Sequence, residues 1–315
     1  MLTRRQFIHL TGAGLTAAAF PAWARELVTT GGDAFGSYWR LTMPRGADVP
    51  RAMAEVIEMI DGVFSPYRTD SDLSRVNRSQ DTDWQPVPPE MARLLLKAAD
   101  MARGSEGAFD PTVGPLVARY GFGPIAGGEG RFAGIDVAEG AMRKIAPDLT
   151  LDLCGVAKGR ALDLMCEALE AAGIEDFLLD LGGEVAARGL NPAGRSWQVG
   201  VDVPGYPMTF GIMLEGGAVA TSGSLSNGYR IGDRLFSHII DPSSREPVET
   251  LVRSVSVLAP TAEIADAWAT ALMAVPMEKA LDMAEANALD ALILFDDGGA
   301  LRPVATGAMP GVMLG

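Results

Sequence analysis

The 315-residue sequence is poor in the side chains that build disulfide frameworks and metal centres, with two cysteines and two histidines. This number of cysteines is too small for a disulfide scaffold or a cysteine-based zinc site. His9 and His238 alone exclude a histidine-rich metal centre. Positive charge is also scarce, because 26 Lys and Arg residues stand against 40 Asp and Glu residues, giving a net charge of −14. The chain therefore lacks the basic surface that nucleic acids require, and an anionic membrane would repel it.

The rest of the composition is that of a folded protein. Hydrophobic residues make up 48% of the chain and charged residues 21%, which excludes general disorder. The length suffices for one large domain or two small ones. Because no repeat, low-complexity tract or linker divides the chain, we predict one domain over residues 25–315.

The first 24 residues differ from the rest in composition. Arg4 and Arg5 precede a weakly apolar stretch at 10–20, and Ala22-Trp23-Ala24 matches a cleavage pattern. The stretch is too short for a membrane span, which needs about 20 apolar residues. A frayed N-terminal helix is one interpretation, but the paired arginines favour a twin-arginine signal peptide over 1–24.

That signal would direct export of the folded protein to the periplasm. Removing Arg4 and Arg5 with it would lower the net charge from −14 by two, to −16, and would leave His238 as the only histidine.

Hydrophobic periodicity predicts helices at 49–63, 88–103, 156–172, 262–274 and 277–288. Apolar runs between Gly and Pro predict strands, which include 37–43, 149–153 and 177–181. Since strands and helices do not strictly alternate, we expect an α+β domain with mixed or antiparallel sheets flanked by helices. The Gly-rich segment 121–130 is predicted to be a surface loop.

The two cysteines are predicted to be free and buried. Cys166 lies within the predicted helix 156–172, and Cys154 lies just before it. A helix rises about 1.5 Å per residue, which puts the two residues beyond the Cα separation of about 7 Å that a disulfide allows.

One segment has the pattern of an anion-binding site. A predicted strand leads to Asp152, then Gly155, and then a helix that carries Lys158 in its first turn. Helix N-termini attract anions through their free N–H groups and their dipole. A connecting loop with a surface lysine remains an equal alternative.

A second segment has the pattern of a cation site. Asp266 and Thr270 are four residues apart in an otherwise apolar predicted helix, so they share one face. A carboxylate and a hydroxyl suit Mg²⁺, which often takes few protein ligands besides substrate phosphates. The alternative is that Asp266 caps or pairs with another group in the core.

Three further segments are weaker signals. The turn-forming segment 107–114 and the hydroxyl-rich segment 221–224 could contact phosphate groups or could be ordinary turns. His238 stands among apolar residues, where a structural role is the common one. Taken together, the five segments favour phosphoryl or nucleotidyl transfer, in which catalysis depends on positioning and charge neutralisation.

The order and spacing of eight segments resemble one known family over nearly the whole chain after residue 24. The segments are 64–67, 71–77, 107–116, 151–159, 180–183, 221–223, 237–242 and 265–271. They resemble the ApbE family of FAD:protein FMN transferases. The resemblance implies a single T-fold-like domain and Mg²⁺-dependent transfer of FMN from FAD to a Thr or Ser hydroxyl, with release of AMP.

The acceptor would be a periplasmic or membrane flavoprotein, and a respiratory or denitrification electron-transfer protein is one option. Two alternatives remain open at this point. The first is an FAD pyrophosphatase that hydrolyses FAD to FMN and AMP. The second is a non-catalytic periplasmic flavin-binding protein.

The resemblance also implies roles for twelve residues. FAD would contact Phe35, Tyr67, Ala108, Phe109, Asp110, Asp152, Lys158 and Ile240. Mg²⁺ would be held by the carbonyl of Gly155, by Asp266 and by Thr270. His238 would be the general base that takes the proton of the acceptor hydroxyl.

The sequence departs from the family pattern at two cationic positions. Arg245 replaces a turn glycine, so a positive φ there would strain the backbone. Arg160 replaces a tyrosine near the implied site, where an added cation could contact phosphate or acceptor.

Overall fold

The computed structural model describes residues 26–128, 132–208, 210–225, 227–231 and 234–315. The predicted signal peptide lies outside the described residues. Across the described part of the chain, each helix is too short or too polar to cross a membrane.

The strands, in chain order, are β1 Leu27–Ala34, β2 Ser37–Pro44, β3 Gln85–Pro86, β4 Ile135–Ala138, β5 Ala141–Lys144, β6 Phe177–Leu181, β7 Glu184–Arg188, β8 Trp197–Val201, β9 Phe210–Leu214, β10 Ala218–Gly223, β11 Gly228–Ile231, β12 Arg234–Ser237, β13 Ile240–Asp241, β14 Glu246–Pro247, β15 Val252–Ala259, β16 Asp290–Asp297, β17 Ala300–Ala305 and β18 Met313–Leu314. The helices are α1 Arg51–Phe64, α2 Asp72–Arg78, α3 Pro89–Gly104, α4 Gly114–Arg119, α5 Cys154–Ala171, α6 Ala262–Met273, α7 Met277–Ala286 and α8 Met309–Val312. A 3-10 helix spans Phe132–Gly134.

The principal sheet has eight strands in the order β1-β2-β6-β7-β10-β15-β16-β17, and all its neighbouring strands are antiparallel. Consecutive residues of a strand point to opposite faces. Thus Ile293 in β16 belongs to the core under the helices, while Leu292 and Leu294 belong to a second core beneath the small sheet β18-β9-β8. The structure confirms the predicted α+β architecture.

Helices α5 and α6 come into close contact at Gly159. A Cβ atom at this position would collide with the carbonyl of Ala262, so only glycine permits the approach. Asp163 of α5 accepts the Ala262 and Glu263 N–H groups at 2.7 and 3.0 Å, capping the N-terminus of α6. A carboxylate there is favoured by the helix dipole.

The predicted strand 149–153 does not form; this segment before α5 is irregular, apart from an isolated bridge between Leu149 and Gly128. Its backbone is held by the Asn77 side chain, which accepts the Leu151 N–H at 2.8 Å and donates to the Leu151 carbonyl at 2.9 Å. The buried Lys144 ammonium donates to the carbonyls of Val76, Ser79 and Pro147. The Asn77 side chain therefore supplies the hydrogen bonds at Leu151 that a neighbouring strand would otherwise provide, while Lys144 holds carbonyls outside 149–153.

Both cysteines are free, as predicted, but only Cys166 is buried. Helix α5 begins at Cys154, two residues earlier than predicted, and this places the Cys154 thiol at the wall of a cavity. The prediction that this thiol is buried was wrong, because helix periodicity does not reveal a cavity at a helix start. The cavity walls still limit solvation, and burial raises the pKa of Cys154 well above its usual value.

Candidate active site

A cavity of about 420 Å³ lies where the N-terminus of α5, the end of β10, the segment after β12 and one face of α6 meet. Eleven of the twelve residues implied by the resemblance line it. They are Tyr67, Ala108, Phe109, Asp110, Asp152, Gly155, Lys158, His238, Ile240, Asp266 and Thr270.

Phe35 is not among the lining residues, which departs from its expected place. It forms the β1–β2 turn with φ of 51°, followed by Gly36 with φ of 70°. Its ring packs against the main core. The structure therefore places Phe35 in the β1–β2 turn against the core, outside the cavity lining.

Backbone contacts hold the two loops that carry Asp110 and Asp152 together. The Asp152 N–H donates to the Pro111 carbonyl at 2.7 Å, and Asp110 accepts the Thr112 N–H and hydroxyl at 2.8 and 2.7 Å. Asp152 in turn accepts the Cys154 N–H at 3.0 Å. Burial raises the pKa of Asp152, although this hydrogen bond lowers it in part.

Lys158 is not an unpaired cation, because its ammonium lies 2.7 Å from Glu184. Glu184 is 4% exposed, and its second carboxylate oxygen is buried without a hydrogen-bond partner. Burial lowers the pKa of Lys158, but Glu184 and Asp266 raise it by more, so the net shift is upward. The pair therefore keeps Lys158 charged beside the cavity.

Sequence reasoning missed Glu184. The motif 180–183 ends one residue before it, and the strand that follows is otherwise apolar or small up to Arg188. The sequence signal that could have identified it is an acidic residue at the first position of a strand, directly after two glycines.

Asp266 lies at the base of the cavity and is 4% exposed. One of its oxygens accepts the Gly159 N–H at 3.0 Å. Asp266 therefore also pairs with a group in the core, which was the alternative to a cation site. Burial, together with the nearby Glu184 carboxylate, raises the pKa of Asp266 to about 7 despite the opposing effect of Lys158.

Gly155 and Thr270 adjoin this carboxylate. A Cβ atom at Gly155 would lie 3.1 Å from the Thr270 hydroxyl oxygen, so the α5 backbone passes close to that hydroxyl. The three positions offer only oxygen donors, which is the donor chemistry that Mg²⁺ prefers. Among the described residues, no three His, Cys, Asp or Glu side chains form a metal-binding group. The Mg²⁺ ligands implied by the resemblance would not form such a group, since Asp266 is the single carboxylate among them.

His238 stands at the edge of the cavity. Its Nδ1 lies 2.9 Å from the Asn227 carbonyl, which can only accept, so Nδ1 carries the proton in the neutral ring. The lone pair is then on Nε2. Burial lowers the pKa of His238; Lys158 lowers it further, and the Asn227 hydrogen bond opposes both. The ring is therefore poised as a neutral proton acceptor.

The structure also places the predicted surface loop and the two cationic departures from the family pattern. Residues 121–128 form a loop, as predicted, and residues 122–124 also line the cavity, where Phe122 packs edge-on against the His238 ring with centroids 6.2 Å apart. Arg160 does not line the cavity but pairs with Glu90 at 2.7 Å, joining α5 to α3. Arg245 has a φ of 63°, so its backbone takes the strained conformation that the sequence predicted for a non-glycine residue here.

A buried carboxylate beside a hydroxyl, a histidine and a helix N-terminus around one cavity are the groups that a group-transfer enzyme uses. Residues 35–293 match the ApbE family, and the chain belongs to that family.

Curated relatives support the same class. The FAD:protein FMN transferase of Escherichia coli K12 is 31% identical over 306 residues, covering 89% of this chain and 87% of the relative. That of Vibrio cholerae is 32% identical over 298 residues, covering 87% and 89%. These relatives confirm the prediction of a transferase.

Solved structures agree in fold. The flavin transferase ApbE from Vibrio cholerae has a TM-score of 0.81 at 27% identity, covering 91% of this chain and 99% of that one. The flavinyl transferase ApbE from Pseudomonas stutzeri has a TM-score of 0.82 at 28% identity, covering 91% and 97%.

Replacing Glu184 by glutamine should destabilise the protein. The Lys158 ammonium would lose its charged partner in a site with little water, and breaking a buried pair is costly. The Lys158 side chain is 37% exposed, so we discount that cost for solvent screening and expect a loss of about 2 kcal/mol in urea unfolding.

Glu167→Gln is the matched control. Glu167 contacts Arg160 at 3.4 Å with 62% of its side chain exposed, and such surface pairs contribute about 0 to 1 kcal/mol. Equal unfolding free energies for the two variants would show that the Lys158–Glu184 pair does not stabilise the fold.

Proposed function

We propose that this protein transfers FMN from FAD to a Thr or Ser hydroxyl of a periplasmic or membrane flavoprotein and releases AMP, with the help of Mg²⁺. The observation that carries the proposal is the convergence of His238, Asp266, Thr270 and Lys158 on one cavity. The names of the curated relatives support the choice of FAD as the donor.

The cavity has the size of a small-molecule site and combines a helix N-terminus with the oxygen groups of a proposed cation site. Its volume of about 420 Å³ is within the range of small-molecule sites. The chain has a net charge of −14, so an anionic ligand needs local stabilisation. The N-terminus of α5 lines the cavity at Cys154 and Gly155, so the positive end of the helix dipole lies there, although the Cys154 N–H already donates to Asp152. The Lys158 ammonium, paired with Glu184, lies beside it.

Three residues of the cavity would hold Mg²⁺. Asp266 would supply a carboxylate oxygen, Thr270 a hydroxyl and Gly155 a carbonyl, and the remaining positions suit water or phosphate oxygens. When bound there, Mg²⁺ would neutralise charge on the FAD pyrophosphate and on the departing AMP.

His238 would act on the acceptor hydroxyl. Asn227 fixes Nδ1 as the donor, so Nε2 takes the hydroxyl proton. The acceptor oxygen then forms a bond to the FMN phosphorus. The bond from that phosphorus to the bridging oxygen breaks, and AMP leaves with the electron pair.

We also propose that the protein is exported to the periplasm, where its acceptor would be found. Arg4, Arg5 and the pattern 22–24 support transport to the periplasm by the twin-arginine route, with the domain beginning at residue 25.

The decisive experiment combines the protein with FAD, MgCl₂ and a flavoprotein domain that contains the acceptor threonine. Intact-mass analysis should show an added FMN less one water, and AMP should appear in equal amount. AMP release at the same rate without the acceptor would instead support the FAD pyrophosphatase. Bound FAD that is never cleaved would support the flavin-binding protein.

His238→Ala should lower the rate of FMN transfer by about 10²- to 10⁴-fold, the contribution typical of a general base. FAD binding, followed by flavin fluorescence, should remain because the cavity is otherwise intact. Glu167→Gln, at an exposed position outside the cavity, is the control and should transfer at the normal rate. A fully active His238→Ala enzyme would remove the general-base role.

The transfer rate should fall with acid only below pH 6.5, the ordinary pKa of histidine. His238 accepts a proton only when neutral, and burial lowers its pKa, so the neutral form persists to lower pH. In the domain from residue 25 onward His238 is the only histidine, so its imidazole can be followed by proton NMR. A midpoint above pH 6.5 in the metal-free protein would contradict this prediction.

Replacing Arg4 and Arg5 by lysine should leave the protein in the cytoplasm of a host with a twin-arginine system. Cell fractionation and the mass of the N-terminus provide the measurement. Periplasmic protein cleaved after Ala24 in this double variant would argue against that route.

A further inference from the structure

The hairpin of β11 and β12 lies outside the cavity but leads directly to it. All four β11 residues are exposed, including two large apolar side chains, Tyr229 at 39% and Ile231 at 65%. Strand β12 ends at Ser237, and the next residue is His238. The hairpin therefore presents apolar surface immediately beside the proposed general base.

Aromatic stacking holds this hairpin in place. Tyr229 stacks on Phe122 with centroids 5.2 Å apart and on Phe236 at 5.3 Å. The Tyr229 hydroxyl donates to the Tyr120 carbonyl at 3.1 Å. We call Tyr229, Ile231 and Phe236, with Phe122 beneath them, the aromatic wall.

The aromatic wall is continuous with the catalytic histidine. Phe122 contacts both the His238 ring at 6.2 Å and the Tyr229 ring at 5.2 Å. The centroids of Tyr229 and His238 are thus separated by no more than about 11 Å, which an extended polypeptide covers in three to four residues.

FAD does not account for this surface. Phe122, Asn227 and His238 line the cavity, but Tyr229, Ile231 and Phe236 do not. Tyr229 and Ile231 are two residues apart in a strand, so they point to the same side. Solvent-exposed apolar side chains in this arrangement favour a partner outside the cavity.

The strand edge offers a second means of recognition. Within the described part of the chain, β11 pairs with β12 and with no other strand. A two-stranded hairpin alone is only marginally stable, and an unpaired strand edge is a template for another extended chain.

We propose that the aromatic wall and the β11 edge bind the extended polypeptide segment of the acceptor protein that flanks its reactive hydroxyl. This rests on the proposed function, since it is the acceptor of FMN that must reach His238. The segment would be extended, with an apolar side chain two to four residues from the Thr or Ser. Backbone pairing would give register, and contact with Tyr229 and Ile231 would give selectivity.

Ile231→Ser tests the proposal without touching the cavity. With a peptide that spans the acceptor threonine of a flavoprotein modified by the wild-type enzyme, we expect KM for the peptide to rise at least fivefold. The affinity for FAD and the maximal rate should stay within twofold. Ile145→Ser is the matched control, because Ile145 is 69% exposed and lies outside both the cavity and the hairpin.

Several results would overturn the proposal. An unchanged KM in Ile231→Ser would do so, as would an equal rise in Ile145→Ser or a loss confined to FAD affinity. If sedimentation shows a dimer that Ile231→Ser dissociates with no change in KM, the wall is a contact between two copies of this chain and the proposal is rejected. Tyr229→Leu, which keeps an apolar side chain against Phe122, should give an intermediate KM.

The outcome is separable from that of the proposed function. If the wild-type enzyme forms no FMN adduct on any acceptor, the transferase proposal fails whatever the variants do. If the adduct forms and KM is insensitive to Ile231, the docking proposal alone fails.

Discussion

The contact between α5 and α6 at Gly159 is the constraint on which the site depends. Glycine allows the two backbones to meet, and the Gly159 N–H then donates to Asp266 at 3.0 Å. Asp163 fixes the same two helices at the start of α6. A side chain at position 159 would separate the helices and move Asp266 and Thr270 away from Gly155. The geometry of the proposed cation site is therefore set by packing rather than by the site residues themselves.

Burial of three carboxyl groups around the cavity makes their ionised forms unfavourable. Asp152, Glu184 and Asp266 all have raised pKa values, with burial as the leading cause in each. Lys158 alone does not offset three acids, and it is already paired with Glu184. The cavity thus has an excess of acceptor groups at its base, while the α5 N-terminus provides donors above it. An anionic ligand there needs a cation as well as amide groups, which is consistent with the proposed role of Mg²⁺.

Much of the fold followed from periodicity. The helix predicted at 262–274 is α6, Ala262–Met273, because its apolar residues and the N-cap Thr261 mark both its face and its start. The prediction of a strand at 149–153 was wrong, since the Asn77 side chain, 74 residues away, bonds to the Leu151 backbone in place of a neighbouring strand. Contacts between residues so distant in sequence leave no local pattern.

Some residues of the site were predicted from the sequence and others were missed, for a similar reason. The motifs placed eleven residues around one cavity, but Glu184 and the aromatic wall were missed. Glu184 acts through Lys158, and the wall forms only when residues 120–122 meet the hairpin. The position of Phe35 depends on a turn conformation, and that of Arg160 on Glu90 across the helix interface. Such properties arise from tertiary contacts, which single motifs do not encode.

The chemistry of His238 raises a question of selectivity that the cavity alone does not answer. An Nε2 lone pair accepts a proton from water as readily as from threonine, and water is far more abundant. Selective transfer therefore requires that the hydroxyl of the acceptor be held beside Nε2 and that water be displaced from it. His238 stands between the cavity and the aromatic wall, with Phe122 in contact with its ring. A polypeptide bound along that wall would meet both requirements at once, so the proposed docking surface would favour transfer over hydrolysis.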